Sequence, residues 1–150
     1  MAGTFTKLLY HAVYSTKHRE PLIVPSLRDR LYEYIGGIIR GEGGVLLEIG
    51  GTPDHIHWVA RLKTEPSVAV MLKTVKAKSS KWVNEQTDHQ GKFAWQRGYG
   101  AFTVSVSQLP KVNRYVRSQE EHHRVKAFKE EFIGLLEKHG IEYDERYVWD

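Results

Sequence analysis

The chain has 150 residues, 41% of them hydrophobic and 27% charged, a balance that points to a folded domain and excludes a disordered tail or a membrane bundle. Lys and Arg number 22 against 18 acidic residues, and the resulting net charge of +4 permits a polyanionic partner without demanding one. The absence of cysteine excludes disulfides, thiolate metal sites and cysteine nucleophiles, and with no signal peptide or membrane span legible the expectation is one soluble, cytoplasmic domain over residues 1–150.

Residues 5–14 are rich in aromatic and β-branched side chains and predict a first strand. A basic loop follows over residues 15–25, with Lys17, His18 and Arg19 ahead of two prolines. Ser26 is placed to cap a helix whose apolar positions Leu27, Leu31, Tyr34, Ile35, Ile38 and Ile39 recur at helical spacing. Gly41-Glu42-Gly43-Gly44 ends it. Residues 45–49 read as a short strand, residues 50–54 as a turn and residues 55–62 as a third strand at hairpin spacing.

After a loop at 63–66, Val68, Met71, Leu72, Val75, Trp82 and Val83 mark a second amphipathic helix. Its Lys73, Lys76, Lys78 and Lys81 lie mostly off the apolar stripe, as a solvated face or as phosphate contacts. Residues 85–100 read mostly as loop, and 101–107 as a fourth strand with Phe102, Val104 and Val106 on one face. A third helix is expected over residues 108–124, with Pro110 tolerated in its first turn. Phe128, Phe132, Leu135 and Leu136 define a fourth, ended by Gly140, and the tail carries Tyr143, Tyr147 and Trp149, too aromatic for a free end.

The first six elements run in the order βαββαβ. The expected fold is α+β: a ferredoxin-like antiparallel sheet ordered 4-1-3-2, its connecting helices on one face, plus two C-terminal helices. That fold by itself names no function.

Chemistry concentrates at His55-Ile56-His57. Alternation along a strand puts both imidazoles on one face, about 7 Å apart by the rise per residue, and Ile56 in the core. Such a pair can close on one metal ion, or can hydrogen-bond to neighbours and water. Tyr115 and Gln119 are four apart on the third helix and share a face. Two imidazoles and an amide oxygen leave coordination sites open for a phosphodiester oxygen. A tyrosine beside them can attack phosphorus in line. The amide favours a hard ion, Mg²⁺ or Mn²⁺, with zinc also possible. His11, His18, His89 and His139 have no partner at a telling spacing, and Glu120-Glu121-His122-His123 reads as support for the helix beside Gln119.

Three blocks in this order resemble a known family: Pro53-Asp54-His55-Ile56-His57-Trp58-Val59, then Trp95-Gln96-Arg97-Gly98-Tyr99-Gly100, then Tyr115-Val116-Arg117-Ser118-Gln119-Glu120-Glu121-His122-His123. They look like the small single-tyrosine HUH transposases of the simplest bacterial insertion sequences, or the related repeat-associated tyrosine transposases. The resemblance implies that His55, His57 and Gln119 are metal ligands and Tyr115 the nucleophile. It implies cutting and rejoining of single-stranded DNA at hairpin-marked ends through a 5′-phosphotyrosine, without a nucleotide cofactor. It also implies a homodimer in which the tyrosine helix serves the partner's site. Candidate DNA contacts are Lys17, Arg19, Lys73, Lys76, Lys78 and Lys81.

Two rival readings stand beside this one. A nucleic-acid-binding module that does not cut is the first, either a domesticated transposase or a domain like the RNA-recognition motif. Arg97-Gly98-Tyr99-Gly100 starts like that motif's signature, but Ala101 stands where an aromatic belongs. A replication-initiating or conjugative HUH nuclease is the second, and those usually come in longer chains.

Overall fold

Strand β1 (Leu8–Ser15) and strand β3 (His55–Leu62) pair along their whole length, Leu8 opposite Leu62 and Ser15 opposite His55. The computed structural model describes residues 3–86, 88–89, 91–123 and 126–150. Strand β2 (Val45–Thr52) flanks β3 and β4 (Gly100–Thr103) flanks β1, giving an antiparallel sheet in the order β2-β3-β1-β4. This is the expected order read from the other edge. Helices α1 (Pro25–Gly41) and α2 (Val68–Asn84) cover one face, where Leu31, Ile35 and Ile39 of α1 and Met71, Leu72 and Val75 of α2 pack against Ile56, Trp58 and Ala60.

The opposite face carries the odd-numbered side chains of β1 and β3. Helices α3 (Leu109–Arg117), α4 (Gln119–His122) and α5 (Phe128–Lys138) belong to this side. A second apolar cluster forms there from Val13, Phe102, Phe128, Phe132 and Leu136, with Tyr143, Val148 and Trp149 of the tail packed on it. Among the described residues no helix is long and apolar enough to cross a membrane.

Several boundaries differ from expectation. β4 stops at Thr103, although the backbone N–H of Val104 still donates to Leu9 O. By the register of Tyr10 with Thr103, Leu9 and Leu8 still lie beside Val104 and Ser105, but after that last bond the chain leaves β1, and Val106 lies in a one-turn 3₁₀ helix, 58% exposed. Ser26 does not cap α1: Val24 holds the N-cap position, Pro25 follows it, and no side chain supplies the cap. The third helix is broken at Ser118 (φ −98°, ψ 28°), so α3 and α4 replace one continuous element, and the expected end at Arg124 lies outside the described residues.

Glycine decides how closely α3 approaches. Gly50 lies opposite His57 on the sheet, and a Cβ there would sit 2.1 Å from the Val116 carbonyl oxygen. The backbone of α3 therefore rests directly on β2, with Val116 fully buried and the neighbouring Tyr115 turned toward the histidines.

Candidate active site

His55 and His57 project from the same face of β3 and are both fully buried. The Nδ1 of His55 faces Asp54 Oδ1 at 2.7 Å and Thr52 Oγ1 at 2.9 Å. A carboxylate can only accept, so the Nδ1–H donates to it and the lone pair lies on Nε2 in the neutral ring. The Nδ1 of His57 lies 2.8 Å from His11 Nε2, a contact across the sheet from the diagonal position on β1. In the sequence His11 has no partner at a telling spacing. The separation of 46 positions between the two histidines hides a pairing that only strand register creates.

Gln119 is fully buried beside them. Its amide nitrogen donates to the Tyr115 carbonyl at 3.2 Å, which turns Oε1 toward His55 Nε2, also at 3.2 Å. The Tyr115 ring stands edge-on to His57, with centroids 5.7 Å apart. The four residues singled out by spacing and resemblance thus meet in one place. The Tyr115 ring meets His57 of its own chain.

The sequence reading missed the residue at the centre. Glu131 of α5 is buried, and its Oε1 lies 2.9 Å from His57 Nε2, 3.0 Å from His123 Nε2 and 3.4 Å from His55 Nε2. Its Oε2 accepts a short hydrogen bond from the Tyr115 hydroxyl. The only signal available was a glutamate in the first turn of an amphipathic helix, which reads as ordinary dipole complementation. His122 and His123 also do more than support the helix beside Gln119: both turn toward Glu131, with His122 Nε2 3.5 Å from Oε2.

The titration pattern follows from this burial. Desolvation, then the nearby His57, lowers the pKa of His11 to about 3. Desolvation also lowers His57 to about 4, against the pull of Glu131. Burial works the same way on His55, but hydrogen bonds to Asp54 and Glu131 outweigh it and raise its pKa to about 9. For Glu131, burial alone would favour the acid; contacts with His123, His55 and His57 overcome that and hold the carboxylate ionised. Burial and the Glu131 charge push the Tyr115 phenol upward.

His55, His57 and Glu131 offer ligand atoms within 4.8 Å of one another, a donor set that fits a divalent cation. Tyr115 and Glu131 also border a cleft of about 610 Å³, flanked by Lys111, Lys126 and Lys138. These lysines lie on the Tyr115 side of the sheet.

The lysines expected from sequence do not form one face there. At 100° per residue Lys78 points well away from Lys73 around α2. Its ammonium lies 3.8 Å from Glu42. The Lys76 ammonium donates to the carbonyls of Arg97 and Gly98 at 3.0 and 2.8 Å, and burial lowers its pKa to about 8. Lys73 and Lys76 border a separate groove of about 400 Å³ with Trp95, Arg97 and Tyr99, while Lys81 and Lys17 are exposed. Arg19 stacks its guanidinium over Trp149 at 5.7 Å.

Residues 4–119 match the family described as IS200-like transposases. The ISDra2 transposase TnpA of Deinococcus radiodurans is 22% identical over 124 residues, covering 79% of this chain and 89% of that protein. The transposase for insertion sequence element IS200 of Salmonella typhimurium is 25% identical over 130 residues, covering 83% and 85%. Two solved structures share the fold. A transposase from Deinococcus radiodurans has a TM-score of 0.61 at 23% identity, over 77% of this chain and 93% of that one. A REP-associated tyrosine transposase bound to a REP hairpin has a TM-score of 0.58 at 11% identity, over 77% and 68%. With a match that spans both histidines, Tyr115 and Gln119, the chain belongs to the IS200-like transposase family of DNA-processing enzymes.

Proposed function

We propose that this transposase cuts and rejoins single-stranded DNA at hairpin-marked ends, with the Tyr115 hydroxyl as nucleophile. The observation that carries the reading is the meeting of Tyr115 with the His55–His57 pair around Glu131, beside a lysine-flanked cleft. Attack by the phenol oxygen forms a bond to phosphorus and breaks the bond to the 3′ oxygen, leaving a 5′-phosphotyrosine and a 3′ hydroxyl. The phosphotyrosine conserves the energy of the cut bond, so rejoining requires no nucleotide cofactor.

His55, His57 and Gln119 would hold the divalent ion, Mg²⁺ or Mn²⁺. When bound, such an ion supplies Lewis-acid polarisation of the scissile phosphate. Asp54 and His11 orient the two imidazoles from behind. Lys111, Lys126 and Lys138 would draw the phosphate backbone toward Tyr115. A hairpin is the substrate of choice because one protein of this fold is seen bound to a REP hairpin. The homodimer implied by the sequence resemblance stays part of this reading, with one set of site residues per chain.

The test is a denaturing gel of protein incubated with a labelled single-stranded hairpin oligonucleotide and Mn²⁺. Wild type should form a covalent adduct. Tyr115→Phe should form none while binding the hairpin within about twofold, because the substitution removes one oxygen and keeps the ring. An adduct persisting in that variant would move the nucleophile to another tyrosine, Tyr143 or Tyr147 first. No adduct with wild type would favour a module that binds without cutting.

A further inference from the structure

We propose that Glu131 is a fourth protein donor to the ion of this site, adding a negative charge to the neutral set of His55, His57 and Gln119. The inference rests on the metal site proposed above and extends it.

His55 gives its Nδ1–H to Asp54, a group that only accepts, so in the neutral ring its Nε2 is a bare lone pair. That lone pair faces two acceptors, Gln119 Oε1 at 3.2 Å and Glu131 Oε1 at 3.4 Å. Gln119 cannot relieve the conflict by turning its amide, because its Nε2 already donates to the Tyr115 carbonyl. His57 faces the same oxygen of Glu131 at 2.9 Å, with its own Nδ1 engaged by His11. A neutral His57 can donate its Nε2–H to Glu131 when His11 donates to its Nδ1. The unmet contact is therefore that of His55 Nε2 with two oxygens. Four potential ligand atoms converge on one point that a proton on His55 or a single cation can fill.

The separations agree with this. Donors around a small divalent ion, each about 2.0–2.2 Å from it, stand roughly 3 Å from their neighbours. The contacts of 2.9, 3.2 and 3.4 Å among these atoms fall near that value.

The carboxylate is also held for the task. His123 Nε2 contacts Oε1 at 3.0 Å, and Oε2 is occupied by the Tyr115 hydroxyl. Glu131 can thus reach the ion with one oxygen and fix the nucleophile with the other. It comes from α5, which lies beyond the residues 4–119 that match the family. The C-terminal segment of this chain then completes its site, and the added charge should favour binding of hard ions.

Calorimetric titration of the purified full-length protein with Mn²⁺, with circular dichroism to confirm folding, tests this. Glu131→Ala should weaken Mn²⁺ binding at least tenfold, and the isosteric Glu131→Gln, which keeps an oxygen and removes the charge, at least threefold. Affinity within twofold of wild type in either folded variant overturns the proposal. Should Glu131→Ala fail to fold, Glu131→Gln decides alone; should both fail, the electron-spin spectrum of Mn²⁺ bound to Glu131→Asp decides, with an unchanged spectrum and affinity counting against a direct bond. The His55→Ala/His57→Ala double variant separates the two levels. If it binds Mn²⁺ like wild type, the metal site itself falls. If it loses binding while the Glu131 variants keep it, only the fourth donor falls.

Discussion

The carbonyl oxygen of Val116 occupies the space that a β-carbon on Gly50 would need, 2.1 Å from its ideal position. Gly50 pairs with His57 in the sheet, and Val116 follows Tyr115 on α3. One missing side chain thus sets the distance between the candidate nucleophile and the candidate metal ligand. Gly50→Ala should lift α3 from β2. A displacement near 1 Å can cost about 10²-fold in a reaction that depends on alignment. The rate of covalent adduct formation should fall at least tenfold, and a wild-type rate in a folded Gly50→Ala protein would show that α3 is not aligned by this contact.

Tyr115 should serve the histidine pair of its own chain. The expectation from resemblance was the partner's site, whereas here Tyr115 lies against His57 of its own chain. Mixing His55→Ala/His57→Ala protein with Tyr115→Phe protein tests the arrangement, provided subunit exchange is verified. In cis neither subunit holds both halves, so the mixture should stay inactive. Recovered cleavage would demonstrate that α3 crosses between subunits in the working enzyme.

Acid should destabilise the metal-free protein through His11 and His57. Both bind protons near pH 6.5 when unfolded, but burial holds them neutral in the fold down to about 3 and 4. Below pH 6.5 the unfolded state therefore binds more protons, and stability falls as pH falls. His55 acts oppositely: its raised pKa contributes stability that is full below pH 6.5 and is lost as pH rises through about 9. His11→Gln keeps a hydrogen-bonding group for His57 and removes one titrating group. Urea unfolding in EDTA between pH 6 and 5 should then show a shallower slope than wild type, by roughly one proton or about 1.4 kcal/mol per pH unit. Equal slopes would mean that His11 is protonated in the fold.

DNA affinity should depend on the lysines of the cleft more than on those of α2. Lys111 and Lys138 flank the Tyr115 cleft, while Lys78 faces Glu42. Each phosphate contact to a single strand contributes roughly −0.7 to the log–log salt slope. Lys111→Gln/Lys138→Gln should flatten that slope by about 1.4, and Lys78→Gln/Lys81→Gln should leave it unchanged. The reverse result would restore the α2 face as the DNA-binding surface.

Periodicity alone was enough for the order of elements, because strand and helix spacings are local properties of the chain. His55 and His57 share a face by the period of two, and Ile56 enters the core for the same reason. Tyr115 and Gln119 stay neighbours even though the helix breaks between them at Ser118, since their four-residue spacing survives the kink. The end of β4 was not legible, because alternation continues through Val104 and Val106 while the chain leaves β1 for the 3₁₀ turn at Val106–Gln108. Nor were His11 and Glu131. Each meets His57 across 46 and 74 residues of chain, through strand register in one case and the packing of α5 in the other. No local spacing encodes such contacts, and a glutamate on an amphipathic helix looks the same in sequence whether it faces water or four imidazoles. Tertiary packing therefore decided what surrounds the histidine pair: Glu131 in the middle, His122 and His123 turned toward it, and His11 behind His57.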